Sequence, residues 1–375
     1  MPPKPAIIGN LVMFYPLVNS LNVIGLEAWT IESIPLIKYV ILAIKYAISA
    51  TSLMVIGIQK WCRVGLHKIR WAHSMSYESP ILGMGGHMIR FNAVIALATS
   101  YLCLFSFAAN GQDRFANVTI ETIPVVGNIS MLVGQGGNIG VSAGSDGILI
   151  IDDQFAPLAG RIKAAIMELG SNTPKFLLNT HFHGDHTGGN ADFGADSVIV
   201  AHENVRLRMV AGEQPAVALP VVTYDDDISI HFNGESITLI HMPRGHTDTD
   251  SVVYFEESNV IHMGDHFFNG GFPFVDLVNG GTVQGYLNNL EKVLSWIDGD
   301  TAVIPGHGSL ASKSDLMSFY NVVSDTSLEI RIKKSQRMSV EDIVEEGLSP
   351  DYESWGQGFI NEEAWIQTVF NSYPR

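Results

Sequence analysis

Eleven residues, Thr180-His-Phe-His-Gly-Asp-His-Thr-Gly-Gly-Asn190, constrain this chain more than any other stretch. Three histidines and an aspartate fall within six positions, directly after the short apolar run Lys175–Asn179. Imidazole nitrogen and carboxylate oxygen are ordinary zinc ligands. Alternate residues of an extended segment point to one side, so His181 and His183 are expected to share one metal. Gly184 then turns the chain, and Asp185 and His186 are placed to reach a second. The glycines after Thr187 permit tight backbone turns beside the site.

More ligand-type residues follow apolar strand-like runs. Gly245-His246 comes after Ser236–Met242, Gly264-Asp265 after Val260–Met263, and Pro305-Gly306-His307 after Thr301–Ile304. In a layered α/β fold such loops gather at one edge. Seven ligands suit a metal pair that keeps a solvent position open.

From Val118 onward, strand and helix patterns alternate. Strands are expected at Val118–Pro124, Ile129–Gly134, Gly147–Ile151, Lys175–Asn179, Ser197–Ala201 and Ser251–Phe255, besides the three that precede the later ligands. Ile228–Phe232 and Ser236–Met242 flank Asn233-Gly234, a strong hairpin signal. Helices are expected at Leu158–Leu169, Asn204–Val210, Val283–Ile297, Lys313–Lys334, Val340–Glu346 and Glu362–Asn371. Two groups of strands with accompanying helices suit a sandwich of two mixed sheets, covered outside by helices. No linker stands out after Gln112, so residues 112–375 are read as one domain.

HxHxDH, a later His after Gly, a Gly-Asp and a Gly-His together resemble the metallo-β-lactamase superfamily. The resemblance runs from about Val118 to Ser309 and takes in Asp152-Asp153, similar to that family's early acidic turn. It implies an α/β fold, the four-layer αββα sandwich. It also implies that His181, His183 and His246 hold one metal, Asp185, His186 and His307 the other, and that Asp265 bridges. The expected cofactor is two Zn²⁺, although oxygen- and nitrogen-rich sites also take iron or manganese. Paired metals lower the pKa of a shared water to about 7 and polarise a carbonyl. Asp185 is then the catalytic carboxylate that orients the attacking water. Asp152 and Asp153 read as supporting or turn-capping groups.

His202, His231, His241, His262 and His266 read as surface or satisfied core residues, a support behind Asp265 being the rival reading for His266. The aromatic run His266–Phe274 is either loop packing or an apolar substrate wall.

Charge narrows the substrate. Residues 112–375 carry a balance of −21, against +5 for residues 1–111. Such a field repels polyanions, which need Lys and Arg for phosphate neutralisation, so a small molecule is expected and nucleic acid is not. Both cysteines, Cys62 and Cys103, lie in the front part, leaving the body without thiolate ligands.

The front part reads as targeting. Arg90, the uncharged run Ala93–Ala109 and Ala109-Asn110-Gly111 form a secretory signal over residues 88–111, with cleavage expected before Gln112. Residues 1–87 then read as an extension upstream of a start at Met88. The rival reading is a membrane-anchored chain with two or three N-terminal spans. Export predicts a periplasmic or secreted protein.

True metallo-β-lactamases often carry Cys or Ser where this chain has Asp265, and some have a Lys shortly after it, where Phe267, Phe268 and Asn269 stand here. The bridging-Asp pattern is closer to glyoxalase II and lactonases. Export favours a β-lactamase-like hydrolase acting on a cyclic amide or ester. A thioesterase of glyoxalase II type, a di-iron oxygen or nitric-oxide reductase and a non-catalytic binding protein are the alternatives.

Overall fold

The computed structural model describes residues 114–374. The expected signal at 88–111 and the extension at 1–87 lie outside the described residues. Among the described residues, no helix is long and apolar enough to cross a membrane.

Strand alternation builds the layers. In Gly147–Ile151, Leu149 and Ile151 face one core while Ile148 and Ile150 face another. A strand apolar on both faces must be covered on both. Seven strands form the first sheet, in the order β1 (Glu121–Val126), β2 (Ile129–Val133), β3 (Ile139–Gly144), β4 (Gly147–Ile151), β5 (Phe176–Leu178), β6 (Val198–His202) and β7 (Val222–Tyr224). β1 to β4 pair antiparallel and β4 to β7 parallel. The second sheet contains β8 (Asp227–Phe232), β9 (Glu235–His241), β10 (Ser251–Phe255), β11 (Val260–His262), β12 (Ala302–Ile304) and β13 (Ala311–Ser312), in the order β13-β12-β11-β10-β9-β8. Only β11 and β12 are parallel within it.

Met131, Leu149, Leu178 and Val200 of the first sheet meet Leu239, Val253, Phe255 and Ile304 of the second in a fully buried core. On the first sheet's outer face, Ile162 and Ile166 of α1 (Ala159–Glu168) pack against Ile148, Ile150 and Leu177. On the second sheet's outer face, Ile261 and Val303 meet helices to be named α5 (Val283–Trp296), α6 (Lys313–Ser335), α7 (Val340–Glu346) and α8 (Glu362–Ser372). The architecture is therefore αββα, as the sequence reading expects. Between α1 and α5 lie three short helices, α2 (Gly184–Thr187), α3 (Asn190–Phe193) and α4 (Glu203–Ala211).

The structure adds β3, β7, β13, α2 and α3 to the expected elements and moves the first strand to Glu121–Val126. Gly140 in β3 explains one omission. A Cβ there would lie 2.9 Å from Ile151 Cδ1 and 3.1 Å from His262 Cδ2. The residue that the close approach of the sheets requires is also the one that weakens the strand pattern.

Candidate metal centre

Strands β4, β5, β9, β11 and β12 all deliver their C-terminal loops to one edge of the sandwich. The seven expected ligands converge there in two groups whose ligand atoms lie within 4.8 Å of one another: His181, His183, His246 and Asp265, then Asp185, His186 and His307. In the first, His183 Nδ1 lies 3.2 Å from His181 Nε2 and 2.8 Å from His246 Nε2. Asp265 Oδ2 is 3.7 Å from His181 Nε2 and 3.4 Å from His246 Nε2. Its other oxygen, Oδ1, faces the second group, 3.0 Å from His186 Nε2 and 3.3 Å from His307 Nε2. Asp185 Oδ2 completes that group, 3.5 Å from His307 Nε2 and 3.8 Å from His186 Nε2.

The fit to cations rests on two atoms. His186 Nε2 and Asp265 Oδ1 are buried with no hydrogen-bond partner among the described residues. A pair that close yet unbonded would be costly in a finished interior. Converging lone pairs with a cation between them remove the cost. Burial also pushes the imidazoles of His181 and His246 down, the latter to about 4, and leaves them neutral with a free lone pair. Burial opposes ionisation of Asp265, but His186, His307, His181 and His246 outweigh it and hold its carboxyl well below the usual range. His186 moves the other way: burial lowers it, but the carboxylates of Asp265, Asp185 and Asp152 prevail and raise it.

Backbone and supporting side chains fix this geometry. Asp152, with φ of 63°, directs its carboxylate inward. It accepts from Thr180 N–H at 2.8 Å, from Thr180 Oγ1 at 2.7 Å and from His186 Nδ1–H at 2.7 Å. That bond places the His186 lone pair on Nε2, toward the cluster. Asp153 caps the turn by accepting from Gly189 N–H, while burial first, with Asp152 adding, pushes its carboxyl well above the usual range. Asn138 binds the carbonyls of Pro305 and Gly308 on either side of His307. His246 Nδ1–H donates to Phe274 O at 2.6 Å. At Gly306 an added Cβ would meet Asp265 Oδ1, so only glycine allows the Asp265 carboxylate to sit there.

His266 stacks on Tyr286 at 5.2 Å and pairs with Asn289 at 3.0 Å. It supports the loop behind Asp265 without joining either group. His202 and His241 stack on each other at 3.7 Å, and His262 Nε2–H reaches Asn138 O, all within ordinary structure. The aromatic run divides between both readings. Phe267 and Phe272 pack on Phe319 and Trp365 in the core. Phe268 stacks on His307 at 5.0 Å, and Phe274 lies 5.8 Å from His183 and 5.6 Å from His246.

Sequence reasoning missed Asp276. Its Oδ2 lies 3.1 Å from His183 Nε2 and also accepts from Asn279 Nδ2. Arg208 grips Asn279 Oδ1 at 2.7 Å and both carboxylate oxygens of Asp248 at 2.7 Å, so the network ties α4 to a candidate ligand. Asp276 stands in an irregular loop with no motif around it, and no sequence signal places it beside His183.

A family model described as the metallo-beta-lactamase superfamily matches residues 123–307, the span holding all seven residues. Residues 123–307 belong to that superfamily. It is 29% identical over 171 residues to the lactamase-like protein aptB of Emericella nidulans, covering 42% of this chain and 52% of that protein. It is 28% identical over 134 residues to a hydroxyacylglutathione hydrolase of Prochlorococcus marinus, covering 36% and 50%. The chain thus spans about half the length of these curated relatives. Among solved structures, the metallo-beta-lactamase from Pontibacter korlensis is similar with a TM-score of 0.49 at 16% identity, over 55% of this chain and 99% of that one.

Proposed function

We propose that this protein is a metal-dependent hydrolase that opens an amide or ester carbonyl, with a cyclic amide or ester as its substrate class. The observation that carries the reading is the split carboxylate of Asp265, one oxygen facing each group of imidazoles. His181, His183, His246 and Asp265 would hold one cation; Asp185, His186, His307 and Asp265 would hold the other. Two zinc ions are the proposed pair. Such a pair supplies a nucleophilic water near neutral pH and polarises the carbonyl.

The chain's own contribution is positioning. Asp185 is the more exposed carboxylate of the centre and stands next to His307. It is the group placed to accept a proton from the attacking water and aim it. Asp152 and Asp276 hold imidazole orientation, and Phe268 and Phe274 exclude water from one side. No side-chain nucleophile is required. Thioester hydrolysis is the second reading, favoured by the similarity to a hydroxyacylglutathione hydrolase. Export is part of the proposal and rests on the Ala93–Ala109 run; N-terminal sequencing that finds Gln112 would support it, and an intact Met1 in the cell would refute it.

The test is turnover by zinc-loaded protein of penicillins, cephalosporins, carbapenems, lactones and thioesters, with Asp185→Asn as control. Control-sensitive hydrolysis of cyclic amides or esters supports the reading. Turnover of thioesters alone moves the substrate class to the second reading. Zinc-loaded protein inert toward every class refutes the hydrolase assignment.

A further inference from the structure

Phe359 is 85% exposed, although the residue after it, Ile360, is buried and Trp365 beyond is fully buried. Single exposed apolar residues need no explanation. This one is not isolated. Its ring lies 6.4 Å from that of Phe274, edge to face, and Phe274 in turn lies 5.8 Å from His183 and 5.6 Å from His246. Phe182, 4.6 Å from the His183 ring, packs instead on Val205 and Met209 of α4. Two phenylalanines from separate segments therefore form one aromatic surface that runs outward from the first group of candidate ligands.

The placement of Phe359 is built. The 3-10 helix Pro350–Gln357 packs on the aromatic loop, where Phe272 N–H donates to Trp355 O at 3.1 Å. A Cβ added at Gly358 would lie 3.8 Å from Gly271 Cα, in ordinary contact with that loop. Phe272 stacks on Trp365 at 5.5 Å, which fixes the loop to α8. The chain is thus anchored on both sides of residue 359 while its ring is held outward, beside Phe274.

The chemistry of the surroundings decides what fits. Arg208, the cation over the Phe182 ring at 5.1 Å, is already held by both oxygens of Asp248. An anionic tail would find Arg208 committed elsewhere. An uncharged apolar tail would cover the exposed aromatic surface and gain burial.

We propose that Phe359 and Phe274 form an acyl subsite, so that the substrate is a neutral ester or lactone carrying an extended apolar acyl group. This rests on the hydrolase reading above and narrows it, setting polyanionic thioesters aside. Phe359 determines specificity; it takes no part in bond cleavage. Each methylene that reaches the rings should raise affinity about threefold to fourfold.

Two series measured on the metal-loaded full chain test this. The first is kcat/KM for p-nitrophenyl acetate against p-nitrophenyl octanoate. The second is affinity for acetohydroxamate against octanohydroxamate, which reads the subsite without hydrolysis. Octanoyl compounds should be favoured in both series. Phe359→Ala should reduce the octanoyl-to-acetyl ratio about tenfold, with metal content preserved, and Phe359→Leu should recover part of it. Equal affinity for both hydroxamates, or a ratio unchanged by Phe359→Ala, would overturn the subsite. Chain-length-dependent hydroxamate binding by protein inert toward these esters and toward every class in the turnover panel above would support the subsite and refute the hydrolase reading instead.

Discussion

Replacing Asp152 by Asn changes only one oxygen for an amide nitrogen, yet it should disarm a candidate ligand. The carboxylate accepts three hydrogen bonds, from Thr180 N–H, Thr180 Oγ1 and His186 Nδ1–H, at 2.7–2.8 Å. An asparagine with its oxygen toward Thr180 N–H presents its NH₂ to the other two partners. The Thr180 hydroxyl can rotate and accept. His186 cannot, unless its proton moves to Nε2. That nitrogen is the atom aimed at Asp265 Oδ1 and His307, so the shift removes the lone pair from the second cluster. If the proton stays, two donors face each other in a buried site, at a cost of about 1–3 kcal/mol. By either route the second metal should bind about 10- to 100-fold more weakly, equivalent to about 1.4–2.8 kcal/mol. The assay is zinc titration calorimetry on the chelator-stripped protein, with thermal unfolding alongside. Wild-type affinity for both ions, at unchanged melting temperature, would refute the argument that Asp152 fixes the His186 tautomer.

Three further outcomes are expected. Asp276→Asn should weaken the first metal about 10- to 100-fold and alter the visible absorption of the cobalt-loaded protein; an unaltered spectrum would remove Asp276 from the positioning of His183. Gly137→Ala would place a Cβ 2.1 Å from His186 Cε1, so metal analysis should show the second ion lost, and retention of both would mean that the loop yields. Burial, with the stacked His202 next, lowers the His241 imidazole to about 4 from an ordinary 6.5. The unfolded chain therefore binds the extra proton first, and stability should fall as pH drops from about 6.5 to about 4. His241→Phe keeps a ring in the stack but removes that titration, so its melting temperature should decline less over this window; equal declines would assign the acid sensitivity elsewhere.

The convergence of the site was legible because each candidate ligand follows an apolar run and adjoins glycine, as at Met263-Gly264-Asp265 and Ile304-Pro305-Gly306-His307. Long strands and amphipathic helices were equally readable: Ser251–Phe255 and Val340–Glu346 lie where the pattern puts them. Short edge elements were not. β7 and β13 hold three and two residues, too few for any periodicity. β3 hid behind glycines that the site itself requires, since Gly137 leaves room for His186 and Gly140 for the opposite sheet. Asp276 and Phe359 lie in irregular segments far from the motif, where tertiary packing alone decides what they meet. Asp152 was visible as an acidic turn residue, but its bond to His186 depends on the positive φ that the sequence does not announce.

In the proposed centre, seven side chains would hold a pair of metal ions through one shared carboxylate, that of Asp265. The most direct test is metal analysis of the zinc-equilibrated protein after removal of loosely bound ions. About two zinc ions per chain are predicted. A chain that retains one ion or none under those conditions would contradict the bridging role of Asp265 and the mechanism built on it.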